Sequence, residues 1–347
     1  MRENNFDLIR LLAAMGVFFA HGLYFYQSDF PNFFKNNANI GTVSVYIFFM
    51  VSGFLIYGSL KRSDQFYDFL VKRIFRIFPG LFFASLFSVF FIGIIASKNT
   101  PLEFISSSLT WKTFFNYISA VGFQHNLPGV FEENIIPGAV NGSLWTIKYE
   151  FFCYLILLFV FKVKRFFDLK KSILIGLMIC IFVIACNLTG SFFKIFDIYN
   201  FFLFLFCFFL GSLAAIFRFQ DQSKLNLLFA SLVFLGLSFF MNSKNSLDLI
   251  FSFCLLFFCL SVAFCKLSFH LSMDLSYGVY IYAFPIQQLV TEYCLKNGYS
   301  LIFCLSFSMA WTFFMAFLSW RLIEKPSLDF AHEIIKRRPA KILEELS

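Results

Sequence analysis

The chain has 347 residues, of which 59% are hydrophobic and only 14% charged, against about 25% charged in an ordinary soluble domain. Apolar runs of about 20 residues, the length that crosses a hydrocarbon core of about 30 Å, recur along the whole sequence and leave no segment for a sizeable soluble domain. The net charge of +8 sits in short basic clusters between these runs, a distribution that fixes membrane topology and argues against nucleic-acid binding.

In chain order, apolar runs and polar breaks predict ten helical spans, at roughly 7–26, 41–60, 77–97, 143–161, 172–189, 197–217, 226–241, 248–265, 273–293 and 301–321. The first follows a basic residue, as a signal peptide does. It contains a histidine, however, and further spans follow it, so it reads as an uncleaved helix. Ten spans place both termini on one side. With that side cytoplasmic, the internal segments carry 20 Lys and Arg and the external segments 6, the asymmetry expected of the positive-inside rule. The fold class is therefore an all-α integral membrane protein of about ten transmembrane helices with both termini cytoplasmic. Residues 1–326 form one transmembrane domain and 327–347 a short charged cytoplasmic tail.

Ionisable groups inside a span are costly, so each is a candidate for function. In span one, Asp7 and Arg10 are one helical turn apart and can pair near the cytoplasmic boundary. His21 lies eleven residues after Arg10, which is three turns plus about 20°, so both project from one stripe with an axial separation of about 16 Å. Arg10 then lies near the cytoplasm and His21 toward the outer third of the membrane. A lone helical histidine is commonly a packing residue; one that shares a face with a buried arginine is a functional candidate.

At the mouth of span three, the segment KRIFRIFPG at 72–80 sets Arg73 and Arg76 one turn apart. Guanidinium groups so placed can hold phosphates in a bidentate manner, although a basic loop that merely enforces topology has the same composition. The external segment 98–142 contains Pro101, Pro128 and Pro137. It is too long for a simple helix connection, and such loops are more often functional than idle. It leads into NGSLWTIKYEFFCY at 141–154, where Asn141, Gly142 and Ser143 predict a turn and an N-cap. Trp145 and Tyr149 suit a membrane interface, where they can equally be ordinary anchors. Glu150 falls within the apolar run. It can orient or deprotonate His21, or pair with Lys148 or another intramembrane cation.

Nine cysteines occur without any CxxC pair, so neither a zinc site nor a disulfide framework is indicated, and no bridge is predicted between Cys294 and Cys304. No inverted repeat with matching Gly/Pro-broken spans is present, which disfavours a secondary transporter.

These pieces, in this order, resemble the acyltransferase 3 family of membrane acyltransferases. The resemblance is carried by DLIRLLAAMGVFFAH at 7–21, FFMVSGFLI at 48–56, KRIFRIFP at 72–79, NGSLWTIKYEFF at 141–152, SYGVYIYAFPIQQ at 276–288 and EKP at 324–326. It spans nearly the entire chain. It implies a ten-helix, multi-pass protein of the bacterial inner membrane that takes an acyl group, usually acetyl, from cytoplasmic acyl-CoA to a hydroxyl of an extracytoplasmic glycan. The family's first-helix pair of a basic residue and a histidine maps onto Arg10 and His21, and its Arg-x-x-Arg pair onto Arg73 and Arg76. Many members carry a histidine before the final proline of the ninth-helix motif, where this chain has Ala283 and Phe284. The short tail resembles the stand-alone members that modify O-antigen or related polysaccharide.

The expected mechanism has Arg73 and Arg76, with Arg10 deeper in, holding the phosphates of acetyl-CoA, a substrate and not a permanent cofactor. His21 then serves as general base on the sugar hydroxyl or as transient acyl carrier, with Glu150 as its orienting carboxylate. Ser143, Trp145 and Tyr149 are acceptor-side or structural candidates. The acceptor is lipid-linked or surface polysaccharide, and no metal is expected. The rival readings are a polysaccharide flippase, which moves glycan without consuming acyl-CoA, and a glycan polymerase with catalytic groups such as His125 on the external loop.

Overall fold

A computed structural model describes residues 4–26, 39–63, 65–119, 127–162, 168–186, 191–192, 196–241, 243–267, 269 and 271–337. The chain folds as α1 (Phe6–Phe25), α2 (Ile40–Lys61), α3 (Phe66–Ala96), two short helices α4 (Pro101–Ser106) and α5 (Ser108–Ser119), and α6 (Gly142–Lys162). It continues with α7 (Leu169–Ala185), β1 (Ser191–Phe192), β2 (Phe196–Asp197), α8 (Ile198–Ile216), α9 (Lys224–Ser238), α10 (Lys244–Ala263), α11 (Ser276–Lys296) and α12 (Leu301–Lys336). The two-residue strands pair antiparallel ahead of α8.

Each expected span coincides with a helix. Among the described residues seven, namely α1, α2, α3, α6, α8, α10 and α12, are long and apolar enough to cross a membrane. Of the other three, α7 and α9 are shorter, and α11 carries buried Gln287, Gln288 and Thr291. Two helices outrun their expected spans. The helix α3 starts at Phe66, and α12 passes through residue 326 without a break. The reason is that Asp68, Lys72 and Arg73, and likewise Arg321, Glu324 and Lys325, end an apolar run without ending a helix. Both helices contain one wide π turn, at Phe87–Ile92 and Trp320–Glu324.

Close helix approach in an apolar solvent depends on small residues, and the α2–α8 crossing illustrates it. A Cβ on Gly53 would overlap the Phe208 carbonyl, and one on Gly211 would overlap that of Met50. Ser212 Oγ donates to the Gly53 carbonyl oxygen at 3.2 Å across the same contact. Nearby, the residue ahead of α1 is tied to the end of α10: Asn5 Nδ2 donates to the carbonyls of Val262 (3.0 Å) and Leu267 (2.8 Å), and its Oδ1 accepts from the Phe269 amide (2.7 Å).

The segment 127–141 is non-helical, yet Val130, Val140 and Asn141 are fully buried. Irregular backbone at such depth needs protein partners for its polar groups, and α11 supplies them. Gln288 Nε2 donates to the carbonyls of Ile136 (3.2 Å) and Ala139 (2.9 Å), while its Oε1 accepts from Asn134 Nδ2 (2.9 Å). Within α11, Pro285 has no amide hydrogen to give the Ile281 carbonyl. Asn141 Nδ2 provides that donor at 2.8 Å and also reaches Ser88 Oγ, within the π turn of α3, at 3.0 Å. The loop is thereby drawn into the bundle, and α6 begins beside Phe284, mid-way along α11.

Candidate active site

Three arginines meet three carboxylates at the end of the bundle where α1 starts. Asp274, in the turn ahead of α11, accepts from Arg10 Nη1 at 2.8 Å and from Arg76 Nη2 at 2.5 Å. Arg76 also faces Glu324 at 3.7 Å, and Glu324, 2% exposed, accepts from Ser319 Oγ at 2.9 Å. Burial alone would raise the Asp274 carboxyl, but the two guanidinium groups outweigh it and hold it well below the usual carboxylate range. Asp7 is therefore not the ion-pair partner of Arg10; the partner lies 264 residues away. Arg73 is bound differently: it lies over the Phe69 ring at 5.8 Å and reaches Ser59 Oγ at 3.5 Å, and its Nε is buried without a hydrogen-bond partner among the described residues.

Glu150 belongs to this inner group. Its Oε1 accepts from Ser52 Oγ at 3.2 Å and from the Tyr154 hydroxyl, and it lines a void of about 40 Å³ together with Arg10, Ser52 and Tyr277. The expected contact between Glu150 and His21 is not formed. Depth explains it: because the loop pulls the start of α6 into the bundle, Glu150 sits level with Arg10 and not with the outer part of α1.

His21 lies in a different chamber. Its ring packs against Phe284 at 5.1 Å and Phe25 at 6.0 Å, with Nδ1 buried and unpartnered among the described residues. It borders a cavity of about 290 Å³ whose polar wall comes from Asn39, Thr42, Asn200, Lys244 and Trp145. Trp145 holds its place by packing on Tyr149 (5.6 Å) and Phe204 (5.5 Å). Tyr149 is a support on the far side of that contact, its hydroxyl accepting from the Asp197 amide at 3.2 Å. Ser143 is buried with Oγ unpartnered among the described residues, and its amide is capped by Asn141 Oδ1 at 3.3 Å. The inner void and the outer cavity share Val45 and Tyr280, so they are stacked along α1 and α2.

A half-buried imidazole between a cationic inner end and a polar outer cavity is suited to proton or group transfer. Comparison with known proteins gives the chemistry. A family profile described as an acyltransferase domain, acyltransferase 3, matches residues 3–321. The chain belongs to the acyltransferase 3 family. It is 31% identical to the O-acetyl transferase of Shigella phage Sf6 over 339 residues, covering 93% of this chain and 96% of that protein. It is 26% identical to nodulation protein 10 of Rhizobium leguminosarum bv. viciae over 213 residues, 58% of this chain and 54% of that protein. No solved structure matches.

The chain is thus an acyltransferase, and several residues of its candidate site escape a reading of the sequence. Asp274 and Glu324 stand at the edges of apolar spans, where three half-buried arginines require counter-charges. Asn39, Asn200 and Lys244 lie at helix ends and have no local signature. Gln287, whose Nε2 donates to the Phe18 carbonyl at 2.7 Å, keeps a buried Oε1, unpartnered among the described residues, on the seam between α1 and α11. Phe284 packs on both His21 and Phe25 and leaves no room for a Cβ on Gly142. On the segment 98–142, Lys98 pairs with Glu132 at 3.3 Å and Glu133 at 2.9 Å on the surface. His125 lies outside the described residues.

Proposed function

We propose that this acyltransferase moves an acetyl group from cytoplasmic acetyl-CoA to a hydroxyl of an extracytoplasmic glycan, such as O-antigen or a related lipid-linked polysaccharide. The observation that carries the reading is the position of His21, which lines the outer cavity on the same stripe of α1 as Arg10, with its Nδ1 buried and unpartnered among the described residues. Asparagines, a tryptophan and tyrosines around that cavity suit a sugar, whose hydroxyls need hydrogen-bonding partners and whose apolar faces stack on aromatic rings. The name of the Shigella phage relative supports oxygen as the receiving atom. The ten helices then cross the bacterial inner membrane with both termini cytoplasmic.

In the direct route, neutral His21 removes the proton of the sugar hydroxyl while that oxygen attacks the thioester carbonyl; the tetrahedral intermediate collapses, and the CoA thiolate leaves and takes up a proton. In the two-step route, an imidazole nitrogen attacks the thioester carbonyl and expels CoA, whose thiolate takes up the imidazole proton; the sugar hydroxyl then attacks the acyl-imidazole, and its proton passes to the departing imidazole nitrogen. Replacing His21 with Ala is expected to leave the protein in the membrane and to remove the acetyl groups from surface glycan. Mass spectrometry of that glycan checks it; an unchanged acetyl content would end the assignment. A flippase would instead leave a membrane preparation unable to consume acetyl-CoA in the presence of glycan.

A further inference from the structure

Val45 and Tyr280 line both the inner void and the outer cavity and so form the partition between them. Three helices place the two chambers on one line. On α2, Thr42, Val45, Phe49 and Ser52 follow one another at three, four and three residues, and on α1, Arg10, Val17, His21 and Tyr24 at seven, four and three, each a run along one helix face. On α11, Tyr277 faces the void, Tyr280 faces both chambers, and Phe284, one turn or about 6 Å further along, packs on the His21 ring. An acyl group carried from the arginines toward the histidine therefore passes Tyr280 about one helical turn before the imidazole.

The Tyr280 side chain is held on two sides. Its ring meets Phe48 edge-on at 5.6 Å, and its hydroxyl lies 2.6 Å from Thr146 Oγ1 near the start of α6, with both Tyr280 and Thr146 buried. Either hydroxyl can be the donor in that pair. When Thr146 donates, the tyrosine's own hydrogen is left for a third group, which distinguishes Tyr280 from other tyrosines of the two chambers. Tyr277 donates to the Ile77 carbonyl at 2.8 Å and Tyr199 to Asp248 Oδ2 at 2.7 Å, and Tyr46 also hydrogen-bonds to Asp248. A carbonyl and a carboxylate only accept, so those three hydroxyl hydrogens are engaged. Tyr24 is exposed.

We propose that the Tyr280 hydroxyl is a catalytic hydrogen-bond donor to the carbonyl oxygen of the acyl group, positioned by Thr146. The proposal rests on the reading of acetyl-CoA as donor and of His21 as base or carrier. When the sugar oxygen or the imidazole nitrogen adds to the thioester carbon, the carbonyl π pair moves onto oxygen. Tyr280 donates a hydrogen bond to that oxyanion and keeps its proton, while Thr146 donates to the phenol oxygen. The pair then returns to re-form the carbonyl as the carbon–sulfur bond breaks, and the protons in transit remain those of His21 and the departing thiolate. A donor fixed in place before the charge develops stabilises the transition state more than the substrate.

The test measures transfer of labelled acetyl from acetyl-CoA to glycan by inverted membrane vesicles that hold the full chain and unacetylated acceptor. Rates are taken per folded chain, with an unchanged melting midpoint as the check. Tyr280→Phe keeps the ring and its contact with Phe48 and removes only the oxygen. Its kcat is expected to fall about 10²–10³-fold, the usual loss for one such donor, with the KM for acetyl-CoA within about twofold of the wild type. Thr146→Val is expected to lower kcat about tenfold, and Thr146→Ser, which keeps the hydroxyl, to retain most of the wild-type rate. A Tyr280→Phe kcat near that of the wild type, or a loss that falls on KM alone, overturns the proposal. Should Tyr280→Phe not fold, the two Thr146 variants decide, and equal kcat for Ser and Val overturns it. If wild-type vesicles transfer no label although the cells acetylate their glycan, the donor reading falls and the role of Tyr280 with it; equal transfer by wild type and Tyr280→Phe removes Tyr280 alone.

Discussion

Arg10 and His21 were visible in the sequence because both lie on one helix, where a separation of eleven residues fixes their relative direction. Their partners were not, because helical periodicity says nothing about contacts between distant elements. Asp274 is the clearest instance: the intramembrane arginines implied a counter-charge but not which one. Replacing Asp274 with Asn leaves Arg10 without its carboxylate and Arg76 with Glu324 alone. Breaking a fully buried pair from one side costs about 3–5 kcal/mol; this cluster is partly exposed, so the variant is expected to lose less than that and to show a clearly lowered midpoint in a detergent melt. Asn141→Ala acts through neutral groups instead. It strips the Ile281 carbonyl of the donor that replaces the missing amide of Pro285, at a cost of about 1–3 kcal/mol. A melting midpoint equal to that of the wild type would mean that the proline carbonyl has found another donor.

At the scale of elements, the apolar runs located every expected span but not the ends of α3 and α12, since charges interrupt hydropathy before they interrupt hydrogen bonding along a helix. Depth was the other hidden quantity. The sequence places Glu150 eight residues into α6, but only the packing of segment 127–141 against α11 shows that α6 starts inside the bundle, which separates Glu150 from His21. The motif FFMVSGFLI acquires a packing role in the same way. Its Gly53 sits where α2 and α8 touch backbone to backbone, and Gly53→Ala must push the helices apart. Overpacking of this kind costs about 1–3 kcal/mol. The loss is expected in thermal stability followed by size-exclusion chromatography, and a stable Gly53→Ala protein would show that the crossing can open at little cost.

For the molecule as a whole, charge asymmetry gives an orientation that the bundle itself does not carry, and two native thiols can test it. With both termini cytoplasmic, α7 ends on the external side and α10 on the internal side. Cys186, which follows α7, is exposed, and Cys265, just past α10, is partly so, whereas the other seven cysteines, Cys294 and Cys304 included, are buried free thiols. Only the thiolate in contact with water reacts with a maleimide, so a membrane-impermeant maleimide is expected to label intact cells at Cys186. Cys186→Ser should abolish that signal, and permeabilising the membrane should restore labelling through Cys265. Labelling of Cys186 only after permeabilisation would invert the orientation. It would also put the arginine cluster outside and the His21 cavity inside, leaving a cytoplasmic donor to enter at the histidine's end, so this experiment bears on the direction of acyl transfer and not on topology alone.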